Sequence, residues 1–173
     1  NHTLYARWIV SDVEKTAVGF EWDTTDQLTK TLKVEAKKEF KIDWGDGNVK
    51  NISSSRAIYG SYEHTFPSTA SSNRYGPYFI KIYGQASGYE TTVNLTDRLS
   101  APVIDFHCPD NNVQTVQGSL GALFPTLKDG SQPSFEGTFA NCKSLKSFEQ
   151  DKLFKGISGK PRAYMFARTF INT

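Results

Sequence analysis

Seven residues, Lys41-Ile42-Asp43-Trp44-Gly45-Asp46-Gly47, constrain the fold of this chain more than any other stretch. Phe40, Ile42 and Trp44 alternate with Lys41 and Asp43, so a strand here has one apolar face and one wet face. That strand runs directly into Gly45-Asp46-Gly47-Asn48. Asp-Gly beside alternating hydrophobics is the strongest short-range hairpin signal, because glycine supplies a positive φ without steric cost. Further on, Tyr78, Ile80 and Ile82 alternate against Phe79, Lys81 and Tyr83, which again reads as a half-buried strand.

Taken with Tyr62-Glu63-His64-Thr65-Phe66 and Gly76-Pro77-Tyr78-Phe79-Ile80-Lys81-Ile82, the hairpin resembles the PKD-type immunoglobulin-like β-sandwich of extracellular proteins. That family's signature is an aromatic-Gly-Asp-Gly hairpin, a His-x-aromatic, then Gly-x-Tyr-x-Val-x-Leu. Pro67 to Tyr75 form a longer spacer than the pattern usually allows, which implies an expanded loop. In the family, the Asp-Gly turn and the histidine are framework residues that tie the loop by hydrogen bonds. The resemblance therefore gives Asp43, Gly45, Asp46, Gly47 and His64 a structural role.

At 173 residues the chain has room for one large domain or two small ones. Strands are expected near Ala17–Asp23, Thr31–Ala36, Glu39–Trp44, Val49–Ile52, Tyr78–Ala86 and Thr91–Thr96. Roughly ten-residue spacing with turn signals between points to an all-β sandwich over residues 11–98. Leu99-Ser100-Ala101-Pro102 reads as a junction, since proline disfavours continuing the preceding element. Residues 1–10 read as a tail strand with Leu4, Ala6 and Trp8 on one face. Their Thr-Leu-Tyr-Ala-Arg-Trp resembles the closing strand of the internalin-type B repeat, which implies the end of a preceding module or a linker.

Beyond the junction an internal repeat appears. Phe135-x-x-Thr138-Phe139-x-Asn141-Cys142 recurs as Phe166-x-x-Thr169-Phe170-x-Asn172-Thr173, and every position is offset by 31. Phenylalanines at i and i+4 share one helical face, so each copy is expected to be a short helix. Asp151 and Gly156 read as the cap and the end of a further helical turn. Phe-x-x-Thr-Phe-x-Asn-Cys-x-x-Leu resembles the BspA-like leucine-rich repeat of bacterial surface proteins, over roughly residues 99–173. This implies a short α/β solenoid, truncated after its second copy, with an insertion at Lys155–Pro161. Phe166 and Phe170 should then share the face of Phe135 and Phe139. Left bare, such apolar rings favour weak self-association through the C-terminal end.

Candidate chemistry is sparse. Asp43, Asp46 and His64 could bind a cation or serve as acid and base, but the framework reading outweighs both. His107 and Cys108 are adjacent on an expected strand and point to opposite faces, so they cannot act as a nucleophile–base pair. Cys108 and Cys142 are expected to be core thiols rather than a bridge, with Cys142 buried. Among the tyrosines, Tyr62 and Tyr78 are assigned to the core. Tyr59, Tyr75, Tyr83 and Tyr89 are candidate exposed binding residues. A net charge of +2 creates no long-range field that would favour nucleic acid or a membrane surface. The cluster Lys30, Lys33, Lys37, Lys38 and Lys41 reads as a solvated strand pair rather than a polyanion site. No apolar run reaches the length of a membrane span.

The alternation implies a mainly β fold, and the two resemblances imply a non-enzymatic module of a secreted or surface-anchored bacterial protein, with no cofactor and no metal. Its expected partner is an extracellular or host protein. The alternative is a glycan, bound by an accessory module of a secreted glycan-degrading enzyme.

Overall fold

The computed structural model describes residues 18–23, 28–34, 40–52, 60–67, 78–86, 88–89, 102–106, 108 and 112–173. The expected strands within residues 1–10 and at Thr91–Thr96 lie outside the described residues.

The described chain is mainly β, with two sheets and one helical turn, an arrangement compatible with a β-sandwich. In chain order the strands are β1 (Val18–Asp23), β2 (Thr29–Val34), β3 (Phe40–Asp43), β4 (Val49–Ile52), β5 (Gly60–Thr65) and β6 (Tyr78–Tyr83). Then follow β7 (Ile104–Asp105), β8 (Asn112–Gly118), the short helix α1 (Leu120–Leu123) and β9 (Ser147–Phe148). The larger sheet has the order β4-β3-β6-β1-β8-β9, and the smaller has β5-β2-β7. All pairings are antiparallel except β8 with β9, where Thr115 faces Ser147 and Val116 faces Phe148.

Alternation explains the strands. In β3 Phe40 and Ile42 are buried while Lys41 and Asp43 are half-buried, and in β6 Ile80 and Ile82 turn inward. Both sheets contribute to a single apolar cluster that includes Phe20, Trp22, Leu32, Ile42, Trp44, Ile80, Phe106 and Val116. Tyr62 and Tyr78 pack against it half-buried, as expected for core tyrosines.

Two features lie beyond the junction expected near residue 99. β7 joins β2 in the smaller sheet, and β8 pairs with β1 in the larger, so the sheets draw strands from both sides of that junction. A bulge sits where β8 crosses β1: Glu21 faces Thr115 and Trp22 faces Val113, leaving Gln114 as the extra residue. The Gln114 carbonyl accepts from the Lys146 N–H at 2.7 Å, which starts the parallel contact with β9.

The expected helices at Phe135–Phe139 and Phe166–Phe170 do not form; both segments are ribbons of successive turns. Bonds run three residues back, from the N–H of Thr138, Ala140 and Cys142 to the carbonyls of Phe135, Gly137 and Phe139. Gly137 (φ 70°) and Asn141 (φ 62°) are left-handed in the first ribbon. Tyr164, Arg168 and Asn172 are left-handed in the second, at φ between 56° and 62°. A left-handed residue at every fourth position cannot occur in a right-handed helix. Asp151 and Gly156 likewise belong to a turn and not to a capped helix, and Gly156 adopts φ 114°.

The two ribbons lie one on the other. The N–H groups of Phe135, Gly137, Phe139 and Asn141 donate to the carbonyls of Met165, Ala167, Thr169 and Ile171 at 2.8–3.0 Å. Phe135 stacks on Phe166 with centroids 5.8 Å apart, and Phe139 stacks on Phe170 at 5.3 Å. Phe106 stacks in turn on Phe139 at 5.0 Å, joining this column to the core under the sheets. Elsewhere the backbones approach closely through glycine: a Cβ on Gly121 would stand 2.5 Å from the Phe154 carbonyl, and one on Gly156 2.4 Å from the Gly121 carbonyl oxygen.

Candidate functional site

The hairpin cluster is the first place to look for chemistry. The Gly45 N–H donates to Asp43 Oδ1 at 3.0 Å, closing an Asx turn. The Asn48 N–H donates to Asp46 Oδ1 at 2.9 Å, and its side-chain amide donates to Asp46 Oδ2 at 3.1 Å. His64 Nε2 reaches the same Oδ2 at 2.8 Å, from a ring stacked on Trp44 at 4.7 Å and edge-on to Phe66 at 4.7 Å. The side chain of Asp46 is only 1% exposed. That burial raises the carboxyl pKa, but the hydrogen bonds from His64 and Asn48 outweigh it and hold Asp46 below its ordinary value. Both carboxylates are therefore engaged with the turn they define. Among the described residues no group of three or more His, Cys, Asp or Glu side chains is placed to hold a metal ion.

Glycine is required at both turn positions, for different reasons. Gly45 adopts φ 76°, and a Cβ there would lie 2.4 Å from the Phe79 carbonyl oxygen. Gly47 adopts φ 92° in open space, so its need is conformational alone.

The candidate binding tyrosines do not converge. Tyr83 is half-buried on the outer face of β6, with the Lys41 ammonium 5.2 Å above its ring. Tyr89, expected at an exposed position, is only 8% exposed, and its hydroxyl donates to the Pro125 carbonyl at 2.7 Å. Burial also pushes its phenol pKa up. Tyr59 and Tyr75 lie outside the described residues. A shallow depression of about 240 Å³ lies nearby, lined by Gly19, Phe79, Lys81, Gln117, Gly118 and Glu149. Its carboxylate is committed: Glu149 accepts from the Gly118 N–H at 2.8 Å and from Lys152 at 2.9 Å.

Two further expectations are corrected. Cys108 and Cys142 are not free thiols but form a disulfide across a sequence separation of 34. Cys142 is buried as the repeat foretold, and the bridge ties the segment after β7 to the first ribbon. Lys30, assigned to a solvated strand pair, is fully buried because it falls on the inward face of β2 with Leu32 and Val34. Lys33 and Lys41 are half-buried, the former 4.0 Å from Asp105 and the latter over the Tyr83 ring; Lys37 and Lys38 lie outside the described residues.

The face that stands out is the outer side of the second ribbon. Phe166 and Phe170 are 39% and 37% exposed, whereas Phe135 and Phe139, their counterparts one repeat earlier, are completely buried. Tyr164 and Ile171 are exposed on the same segment. The side-chain amide of Asn172 donates to Asn141 Oδ1 at 3.1 Å, continuing the repeat in its polar positions as well.

No family model, curated protein or solved structure matches this chain. No helix among the described residues is long and apolar enough to cross a membrane.

Proposed function

We propose that this chain is a non-catalytic interaction module of an extracellular bacterial surface protein, built as a PKD-like sandwich that carries a BspA-like leucine-rich stack. The observation that carries this reading is the stacking of the two Phe-x-x-Thr-Phe-x-Asn ribbons, ring on ring and N–H on carbonyl. Repeats of this kind contact their neighbours and present continuous surfaces to partners. The committed state of Asp43, Asp46 and His64 supports a framework role in place of catalysis. A disulfide fits an oxidising, extracellular setting. A protein partner is favoured over a glycan by the two candidate tyrosines among the described residues: burial withdraws Tyr89 and Lys41 covers Tyr83.

Peptide and glycan hydrolysis assays, run beside arrays of extracellular proteins and oligosaccharides, test this reading. Saturable binding to a protein and no turnover are expected. Turnover lost in His64→Ala or Asp46→Ala would overturn the non-catalytic reading. Oligosaccharide binding abolished by Tyr83→Ala would overturn the choice of a protein partner.

A further inference from the structure

Gly19 lies within β1, the strand between β6 and β8, where a residue without a side chain ordinarily weakens a sheet. Its partners in the register are Lys81 on β6 and Gln117 on β8. All three belong to the outer face, since the flanking Phe20, Ile82 and Val116 turn inward. Phe79, two residues before Lys81, leans diagonally across Gly19: a Cβ there would stand 2.5 Å from the ring carbons Cε1 and Cζ. The Gly19 backbone is not left-handed, so the ring above it is the reason for glycine. Glycine here lets the half-buried Phe79 ring lie down on the sheet, in the hollow of about 240 Å³ that Lys81, Gln117 and Glu149 border.

The groups around that ring divide into committed and free. Glu149 is engaged by the Gly118 N–H and by Lys152, and Asp43, opposite Lys81 in the register, accepts from the Gly45 N–H. Among the described residues no ion pair or side-chain hydrogen bond engages Lys81 or Gln117, and the Phe79 ring joins no ring pair. The hollow therefore offers one open aromatic face, one ammonium and one carboxamide. An aromatic side chain in an offset stack on Phe79, with a carboxylate beside it against Lys81, uses the ring and the charge together. Glu21, opposite Phe79, sets that carboxylate at the Lys81 end by repulsion. A sugar ring carries hydroxyls on most of its carbons, and two free polar groups recognise few of them. A second copy of this chain matches poorly, because a two-fold pair through this face turns Lys81 toward Lys81.

We infer that this hollow anchors a protein partner, taking an aromatic side chain that stacks on Phe79 and a neighbouring carboxylate that pairs with Lys81. The inference rests on the protein-binding reading given above and names the chemistry by which the partner is held.

The test uses the full chain, labelled with ¹⁵N, and synthetic twelve-residue peptides carrying one phenylalanine between two glutamates. Matched peptides carry lysine in place of glutamate, or alanine in place of phenylalanine. The acidic aromatic peptide is expected to shift the amides of Gly19, Lys81, Gln117 and Gly118. It should bind at least tenfold more tightly than either control, and more weakly as salt rises. Gly19→Ala, which lifts the ring off the sheet, should weaken binding tenfold or more with the fold intact by circular dichroism. Lys81→Glu, which leaves Gly19 and the ring in place, should reverse the preference between the glutamate and lysine peptides.

Equal affinity for the glutamate and lysine peptides, or no shift at the four amides with peptide at millimolar concentration, would overturn the inference. So would an unchanged preference in Lys81→Glu, or sedimentation showing that the chain alone dimerises through this face. Protein binding on the arrays that Gly19→Ala and Lys81→Glu leave intact sinks this site but leaves the protein-binding reading standing. Oligosaccharides that shift the same amides, with no binding of any peptide or protein, sink both.

Discussion

Asp46 accepts from three donors with two oxygens, and that arrangement gives it a defined response to acid. Burial pushes its pKa up, the bonds from His64 and Asn48 pull it down further, and the result lies below the ordinary carboxylate value. A carboxyl lowered in the folded state stabilises fully above its unfolded pKa of about 3.9 and loses that stabilisation as pH falls through the folded value. Urea unfolding between pH 2 and 6 should therefore show wild type losing more stability below about pH 4 than Asp46→Asn, while at pH 6 the variant is weaker by about 1–3 kcal/mol. Calcium should leave the Tm unchanged, because the oxygens it would need are occupied. The two turn glycines separate strain from collision. Gly47→Ala adds only the left-handed penalty, about 1–2 kcal/mol, whereas Gly45→Ala adds the same penalty and a clash with the Phe79 carbonyl. Paired denaturation curves should rank Gly45→Ala as clearly the more damaging; equal losses would mean that β6 yields at no cost.

Elements were legible where one face is apolar and the other wet. β1, β3 and β6 follow from alternation, and the hairpin that brings in β4 follows from Asp46-Gly47. β5 carries only Gly60, Tyr62 and His64 on its inward face, so no aliphatic alternation announces it. β8 is interrupted by the bulge at Gln114, which breaks its period of two. The ribbons were misread because phenylalanines four apart satisfy both a helix and a turn ribbon. The discriminating residues were Gly137, Asn141 and Asn172, the types that tolerate a left-handed backbone at fourfold spacing. The bridge was hidden because its partners are out of step with the repeat: Phe106 stacks on Phe139 at an offset of 33 and Cys108 joins Cys142 at 34, so the 31-residue period does not bring them together. Closing a loop with a separation of 34 is worth about 3–4 kcal/mol in the chain-entropy estimate. Reduction, or Cys108→Ser with Cys142→Ser, should lower the denaturation midpoint accordingly. Mass spectrometry of the unreduced protein should show no free thiol.

At the scale of the molecule, the sheets and the stacked ribbons share one core. Ile104, Phe106, Val113 and Val116 all lie beyond residue 98, and each is at most 1% exposed. A fragment of residues 11–98 loses β7 from one sheet and β8 and β9 from the other, and strips cover from Phe20 and Trp22. It should show no cooperative unfolding and poor amide dispersion; a well-dispersed spectrum would establish the sandwich as an independent unit. The disulfide also has a mechanical meaning. Pull applied at Thr173 opens the ribbon ladder one hydrogen bond at a time, from Asn141–Ile171 back to Phe135–Met165. Peeling stops at Cys142, where the load passes through a covalent bond to Cys108, beside the sheets. Residues 143–173 would pay out as a tether on the order of 100 Å long, while β1 and β8 remain paired. Under reducing conditions that stop is gone, and the same force reaches the core.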